Sequence, residues 1–271
     1  MLEQWYQALG LPIDPEALVL VSALVFARSL PLLFLNPFLG GSVVPGPVKM
    51  ATAFTFVVLL LPVLSQMGGQ VPTGVPYFAL LIKELMVGVT LGFVSGLVFL
   101  AFSASGRLID MQRGVNMAET MIFQLKERTS LMGQLYSQSA IILFLLAGGH
   151  IVYLRGFFSS FELLPVLEFP SFSGGTVPIL TDLARSSADV LLIALQLAAP
   201  AVIALFLTDV AFGIINRASP QINVFIVSQP AKVAVGIFFV LLVLRVLVEQ
   251  YDVHTQEMLV TLYRFIGYMG S

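Results

Sequence analysis

Two polar stretches interrupt an otherwise apolar chain of 271 residues, and they hold the groups that could do chemistry. The first is GRLIDMQRGVNMAETMIFQLKERTSLMG, residues 106–133. Asp110 and Arg113 lie three apart and can pair on one helical face. Gly106 and Gly114 permit tight or positive-φ backbone. GVNMAETMIF follows, with Met117, Met121 and Phe123 among small and polar residues. One reading is an ordinary cytoplasmic loop with a solvated charge pair. The sharper one is a flexible stopper in a pore, because unbranched Met can close an irregular opening and yield to many shapes.

The second stretch is DVAFGIINRASPQINVFIVSQPAK, residues 209–232. Asp209, Gly213 and Arg217 fall at i, i+4 and i+8, one face of a helix. Pro220 should end that helix, and Gln221 and Asn223 present amides at the turn. Pro230 should restart a helix, with Lys232 in its first turn, where the helix dipole disfavours a cation. A Lys there points to an anionic neighbour or an interface. A positive-inside hairpin accounts for Arg217 and Lys232 but not for the amides, which in a bundle can link helices by hydrogen bonds.

Other chemistries find little support. A third stretch, GGHIVYLRGFFSSFELLP (148–165), contains His150, which could titrate near neutral pH but reads more simply as a structural hydrogen-bonder. With His254 remote in sequence and no cysteine, neither a metal cluster nor a Cys nucleophile is indicated, and no cofactor is expected. The Gly-x-Ser-x-Gly elbow, His-Glu-x-x-His and the P-loop are missing. Asp110 and Asp209 lack the flanking glycines of an intramembrane protease pair. The expectation is a non-enzyme.

The elements that must position these stretches are membrane helices. The chain is 58% hydrophobic and 10% charged, against roughly 25% charged in soluble domains. A soluble protein of this size could not hide so much apolar surface. The net charge of -2 implies no nucleic-acid partner. The opening MLEQWYQALG is acidic and unlike a cleavable signal peptide. Apolar runs at 17–35, 50–82, 85–102, 129–154, 190–208 and 233–244 predict about six hydrophobic helices, several of them short of the roughly 20 residues a crossing needs. With six spans, one side carries Lys49, Arg107, Arg113, Lys126, Arg128, Arg217 and Lys232, and the other only Arg185 and Arg264. That bias places both termini outside. Arg28, Pro31, Asp209 and Arg245 sit where a lipid-facing helix avoids charge or proline. Singly each reads as snorkelling or a kink; together they favour protein neighbours, hence an oligomer.

Five segments in series resemble the FliR/SctT family, export-gate subunits of bacterial flagellar and virulence type III secretion systems. They are ARSLPLLFLNPFLGGSVVPGPVK, KELMVGVTLGF, GRLIDMQRG, GGHIVYLRGFFSSFELLP and DVAFGIINRASPQINVFIVSQPAK, in the family's order over nearly the whole chain. The resemblance implies an all-α, polytopic helical membrane protein with kinked or broken helices and hairpins. It implies one domain over 1–271, with about 1–180 similar to a P/R-type subunit and about 181–271 a hairpin similar to a Q/S-type subunit. It further implies assembly with those subunits and other export-apparatus membrane proteins into a helically arranged, plugged pore for unfolded secretion substrates. The place implied is the bacterial inner membrane, at the base of a flagellar basal body or an injectisome. The family's plug maps onto Gly114, Val115, Asn116, Met117, Ala118, Glu119, Thr120, Met121, Ile122 and Phe123. Many members carry aromatics there, where this chain has Met117 and Thr120. The hairpin interface maps onto Asp209, Arg217, Pro220, Gln221, Asn223, Pro230 and Lys232. Gly-His after the fourth run leans flagellar, IDMQRG and GQLYSQ lean toward the virulence branch, and the balance favours flagellar. The competing reading is a secondary transporter with broken helices binding solute at mid-membrane. It would need inverted-repeat halves, of which only a faint Pro-Lys echo (45–49 and 230–232) exists.

Overall fold

The computed structural model describes residues 15–41, 44–64, 71–114, 130–169 and 177–270. Among the described residues the regular elements are seven α-helices: α1 Pro15–Leu35, α2 Gly46–Leu64, α3 Val75–Arg113, α4 Leu131–Leu146, α5 Gly149–Leu163, α6 Val177–Ala218 and α7 Val224–Gly270. A helix satisfies its own backbone polar groups, the condition for crossing hydrocarbon. Four helices are long and apolar enough to cross a membrane, or five if the bent pair α4–α5 counts as one, among the described residues. The protein is an all-α polytopic membrane protein.

The expected hydrophobic runs lie in helices that extend past them. The charge-free run 50–82 covers α2, which ends at Leu64, and the start of α3 at Val75. Lys83 and Glu84 lie inside α3, which is 39 residues long, and α6 and α7 reach 42 and 47. An apolar window marks where a helix is greasy, not where it stops. Polar residues on the flanks continue the same hydrogen-bond ladder.

The chain forms two compact units. Unit one takes residues through Gly96, then 151–181 and 259–271. Its core is Leu24, Val25, Leu32, Leu91, Phe157 and Phe161. Phe56 of α2 packs on Phe157, with ring centroids 5.5 Å apart. A polar chain crosses this core: Asn36 donates to Ser95 Oγ at 2.9 Å, and Ser95 lies 3.3 Å from the Tyr153 hydroxyl. What lets α1 lie so close to α3 is a row of glycines one turn apart, Gly88, Gly92 and Gly96. A Cβ at Gly88 would fall on the Arg28 carbonyl, one at Gly92 would come 3.1 Å from Leu32 Cα, and one at Gly96 3.3 Å from Leu35 O. Small residues at four-residue spacing are what close helix contact in membranes requires.

Unit two takes residues 97–150 and 182–258. Phe99 of α3 meets Phe144 of α4 edge-on at 5.4 Å. Gly106 lies against the backbone of Met132, and α6 buries Ala194, Leu197, Ala198, Ala201 and Leu205. Positive-φ glycines end two helices, Gly114 (φ 77°) after α3 and Gly148 (φ 73°) after α4.

The glycine row predicts that Gly88→Val lowers the yield of folded protein and costs more than the roughly 1–3 kcal/mol of ordinary overpacking, because backbone has to move. Gly46→Ala, whose Cβ would meet nothing within 4 Å, is the control. Thermal unfolding in detergent separates the two.

Candidate functional site

Unit one encloses an ionic cluster. Arg28 is fully buried in α1, and Glu84 fully buried in α3. The guanidinium holds the carboxylate bidentately, Nε to Oε2 at 2.5 Å and Nη2 to Oε1 at 2.9 Å. Its remaining donors reach the Ser160 carbonyl at 2.9 Å, Ser160 Oγ at 3.1 Å and the Leu164 carbonyl at 2.9 Å. The Phe161 ring lies 4.2 Å from the guanidinium carbon. Lys83 sits 2.6 Å from Glu84 Oε1 and donates to the carbonyls of Pro165, Val166 and Glu168 at 2.9, 3.1 and 2.9 Å. Two cations thus share one buried carboxylate, and backbone oxygens cap the rest. Arg28, Glu84 and Lys83 are engaged on every side, so this is a lock on α1, α3, α5 and the strand of chain after α5, not a reactive centre. It also corrects the inference that Arg28 needs a neighbouring subunit: its partners are in its own chain.

Unit two holds the sequence-predicted residues. Asp110 and Arg113 do not lie in a loop but in the last turns of α3, and both are buried. Arg113 Nη1 donates to Asp110 Oδ1 at 2.9 Å. The other carboxylate oxygen accepts from Ser130 Oγ at 2.7 Å and from the Met132 amide at 2.9 Å. Ser130 in turn caps α4 by accepting from the Gly133 amide at 2.9 Å. A carboxylate beside a helix N-terminus is favoured by the exposed N–H groups there. One carboxylate therefore fastens both ends of segment 115–129. Of the expected plug only Gly114 is described; Val115 to Phe123 lie outside the described residues.

The α6–α7 hairpin carries the second set. Lys232 forms an ion pair with Asp209, and Gln112 Nε2 lies 3.4 Å from Asp209 Oδ2. Helix α6 ends at Ala218, two residues before Pro220. Pro230 does not restart a helix: α7 begins at Val224, so Pro230 lies in its second turn and Lys232 beyond the first. Proline lacks only its own N–H, and Val224–Ser228 needed no help to start. Arg217, Pro220, Gln221, Asn223 and Pro230 are exposed. Between the end of α3 and the hairpin lies an open cleft of about 740 Å³, its lining mixed: the amides of Gln112, Asn216, Gln221, Asn223 and Gln229, the Asp209–Lys232 pair, and apolar Met111, Phe212, Ile222 and Phe225. Its amides can both donate and accept hydrogen bonds. Among the described residues no cluster of His, Asp and Glu could hold a metal ion. The cleft's Gln112 and Gln229 were missed in the sequence. The clue was available: Gln112 adjoins Arg113 and Gln229 adjoins Pro230, both already singled out.

Residues 19–258 match the bacterial export proteins, family 1. The chain belongs to this family, the FliR/SctT family. It is 31% identical to the flagellar biosynthetic protein FliR of Bacillus subtilis (strain 168), over 83% of this chain and 86% of that one. It is 35% identical to the Yop proteins translocation protein T of Yersinia pestis over 57% and 58%, and 29% identical to the surface presentation of antigens protein SpaR of Shigella sonnei over 80% and 82%. In this export protein the two residue groups have different characters. The Arg28–Lys83–Glu84 group is closed and fully partnered, while the Asp209–Lys232 group borders open space.

The buried cluster predicts the effect of Glu84→Gln. The isostere keeps the shape and removes the carboxylate that Arg28 and Lys83 share, leaving the buried Arg28 uncompensated and Lys83 with only the weaker attraction of Glu168. The expected loss is roughly 3–5 kcal/mol of stability, read as a lowered unfolding midpoint in detergent. An unchanged midpoint would remove the cluster from its role as a lock.

Proposed function

We propose that this chain is a core export-gate subunit of a bacterial type III secretion apparatus in the inner membrane, assembling with P/R-type and Q/S-type subunits into a plugged pore for unfolded proteins. The observation that carries the reading is the family match over 19–258. The flagellar branch is preferred on the Gly-His after the fourth run; relatives of both branches align over most of the chain, the flagellar protein FliR of Bacillus subtilis over 83% and SpaR of Shigella sonnei over 80%. The domain reading stands as part of the proposal, with about 1–180 in the P/R-type role and about 181–271 in the Q/S-type hairpin role.

Three features support it. The polypeptide in transit is unfolded and of varied sequence, and a cleft that mixes amides with apolar side chains offers contacts to both its backbone and its side chains. The stopper is Gly114–Phe123, and the described residues on either side of segment 115–129 are fastened to Asp110, which anchors its stem. Asp209, Arg217, Pro220, Gln221, Asn223, Pro230 and Lys232 form the hairpin interface, where exposed amides meet equivalent tips of neighbouring subunits. The Asp209–Lys232 pair holds the two arms of that hairpin in register.

Native mass spectrometry of the chain co-expressed with its operon neighbours and purified by its own tag tests the assembly. The expected species holds one copy of this chain with several copies of two smaller hydrophobic proteins; a monomer or homodimer alone overturns the reading. The stopper has its own test. Deleting 115–122 should make the inner membrane leak small solutes, whereas unchanged ion conductance would take the plug out of this segment.

A further inference from the structure

The end of α3 meets α7 along one face. Gln229, Lys232 and Gly236 are spaced three and four apart, so they share that face. Lys232 pairs with Asp209 of α6. The other two touch the end of α3. A Cβ at Gly114 would lie 3.2 Å from Gln229 Oε1 and 3.3 Å from Nε2, so that amide rests on the positive-φ glycine that closes α3. Gly236 is buried, and a Cβ there would lie 2.7 Å from Arg113 Cδ, 3.0 Å from Nε and 3.1 Å from Cγ. The stem of Arg113 therefore fills space that only a glycine leaves.

Arg113 is held less completely than Arg28. Every nitrogen of the Arg28 guanidinium has an acceptor. Arg113 gives Nη1 to Asp110 Oδ1, but its buried Nε finds no acceptor among the described residues. A buried donor without a partner has given up water and received nothing for it. The cause is local: what faces Nε is Gly236, which has no side chain to accept with. The shape of α7, and not full pairing, keeps Arg113 aimed at Asp110. Asp110 in turn holds Ser130 Oγ and the Met132 amide on the far side of segment 115–129.

We propose that Gly236 and Gln229 are positioning residues: one face of α7 sets the end of α3 through Arg113 and Gly114, and with it the grip of Asp110 on both sides of segment 115–129. A displacement of α7 would reach Asp110 through the Arg113 stem, where a completely paired arginine would resist it. That a stopper hangs from this stem rests on the function proposed above; that α7 positions the stem does not.

The test presses a methyl group on Arg113. Gly236→Ala should turn the guanidinium away from Asp110. In membrane vesicles carrying the intact complex, potassium leak should rise roughly ten-fold or more over Gly267→Ala, the equilibrium change that a lost hydrogen bond between charged groups brings. Gly267 lies in the same helix, and its Cβ would meet nothing within 4 Å. Adding Arg113→Lys to Gly236→Ala should bring the leak back toward the control, because a lysine stem can bend around the methyl and still reach Asp110. A leak at control level in Gly236→Ala overturns the proposal. So does a leak that Arg113→Lys leaves high, which marks a packing fault in α7 at large. Spin labels placed through Met111→Cys and Phe225→Cys give a readout that needs no stopper. Both positions are exposed on the cleft, and the chain has no cysteine of its own. Gly236→Ala should lengthen the distance between the labels in the full chain, and Arg113→Lys should restore it. If deleting 115–122 causes no leak while the distance responds in this way, the stopper reading falls and α7 still positions the end of α3. If the deletion leaks and the distance does not respond, the stopper stands and this proposal falls.

Discussion

Burying two cations against one carboxylate is the constraint that organises the first unit. Taking Arg28, Lys83 and Glu84 out of water costs several kcal/mol each before their attraction offsets it, so such a group adds little net stability. What it adds is register. Five donors from Arg28 have a fixed fork geometry, and Glu84 can meet two of them only if α1 and α3 stop sliding at one position. The other contacts, to Ser160 and Leu164, then fix where α5 ends. The Gly88–Gly92–Gly96 row follows from the same demand, because bulkier side chains there would hold Arg28 too far from Glu84.

The second unit solves a different problem with similar parts. Asp110 is shared by a cation, a hydroxyl and a helix N-terminus, so it is as fully engaged as Glu84. Its partners, though, lie at the two ends of a chain segment and not on helix faces. Nearby, Asp209 and Lys232 are only partly buried and border open space. A closed ionic lock in one unit and an open cleft in the other are consistent with one part of the chain holding shape while another meets moving or variable partners.

Helix length also separates the two physical demands on this chain. At 1.5 Å per residue, α6 with 42 residues and α7 with 47 run about 63 and 70 Å, more than twice the roughly 30 Å of a bilayer core. Their apolar surface is largely uncovered in the isolated chain: 33% of the apolar window of α6 is buried and 17% of that in α7. Surface of this extent belongs against lipid or other helices.

Composition alone determined that this is a helical membrane protein, because the hydrophobic share exceeds what any soluble fold can cover. The series of five segments determined the family, since order and spacing of motifs are properties of the sequence itself. The polar residues worth watching were also visible there, Arg28, Asp110, Arg113, Asp209 and Lys232 among them. The G-x-x-x-G-x-x-x-G row was equally visible but only as spacing; nothing in it names the helix it faces. Helix ends were not legible. Lys83–Glu84 looks like a boundary by charge, and Pro230 looks like a start, yet a helix ends where its next hydrogen bond fails, and tertiary partners supplied what the local chain did not. The structure alone decided which charges are partners. Arg28 lies 56 residues from Glu84 and 132 from Ser160, and an ion pair is a matter of distance in space, which apolar burial and close helix contact set only after the chain has folded.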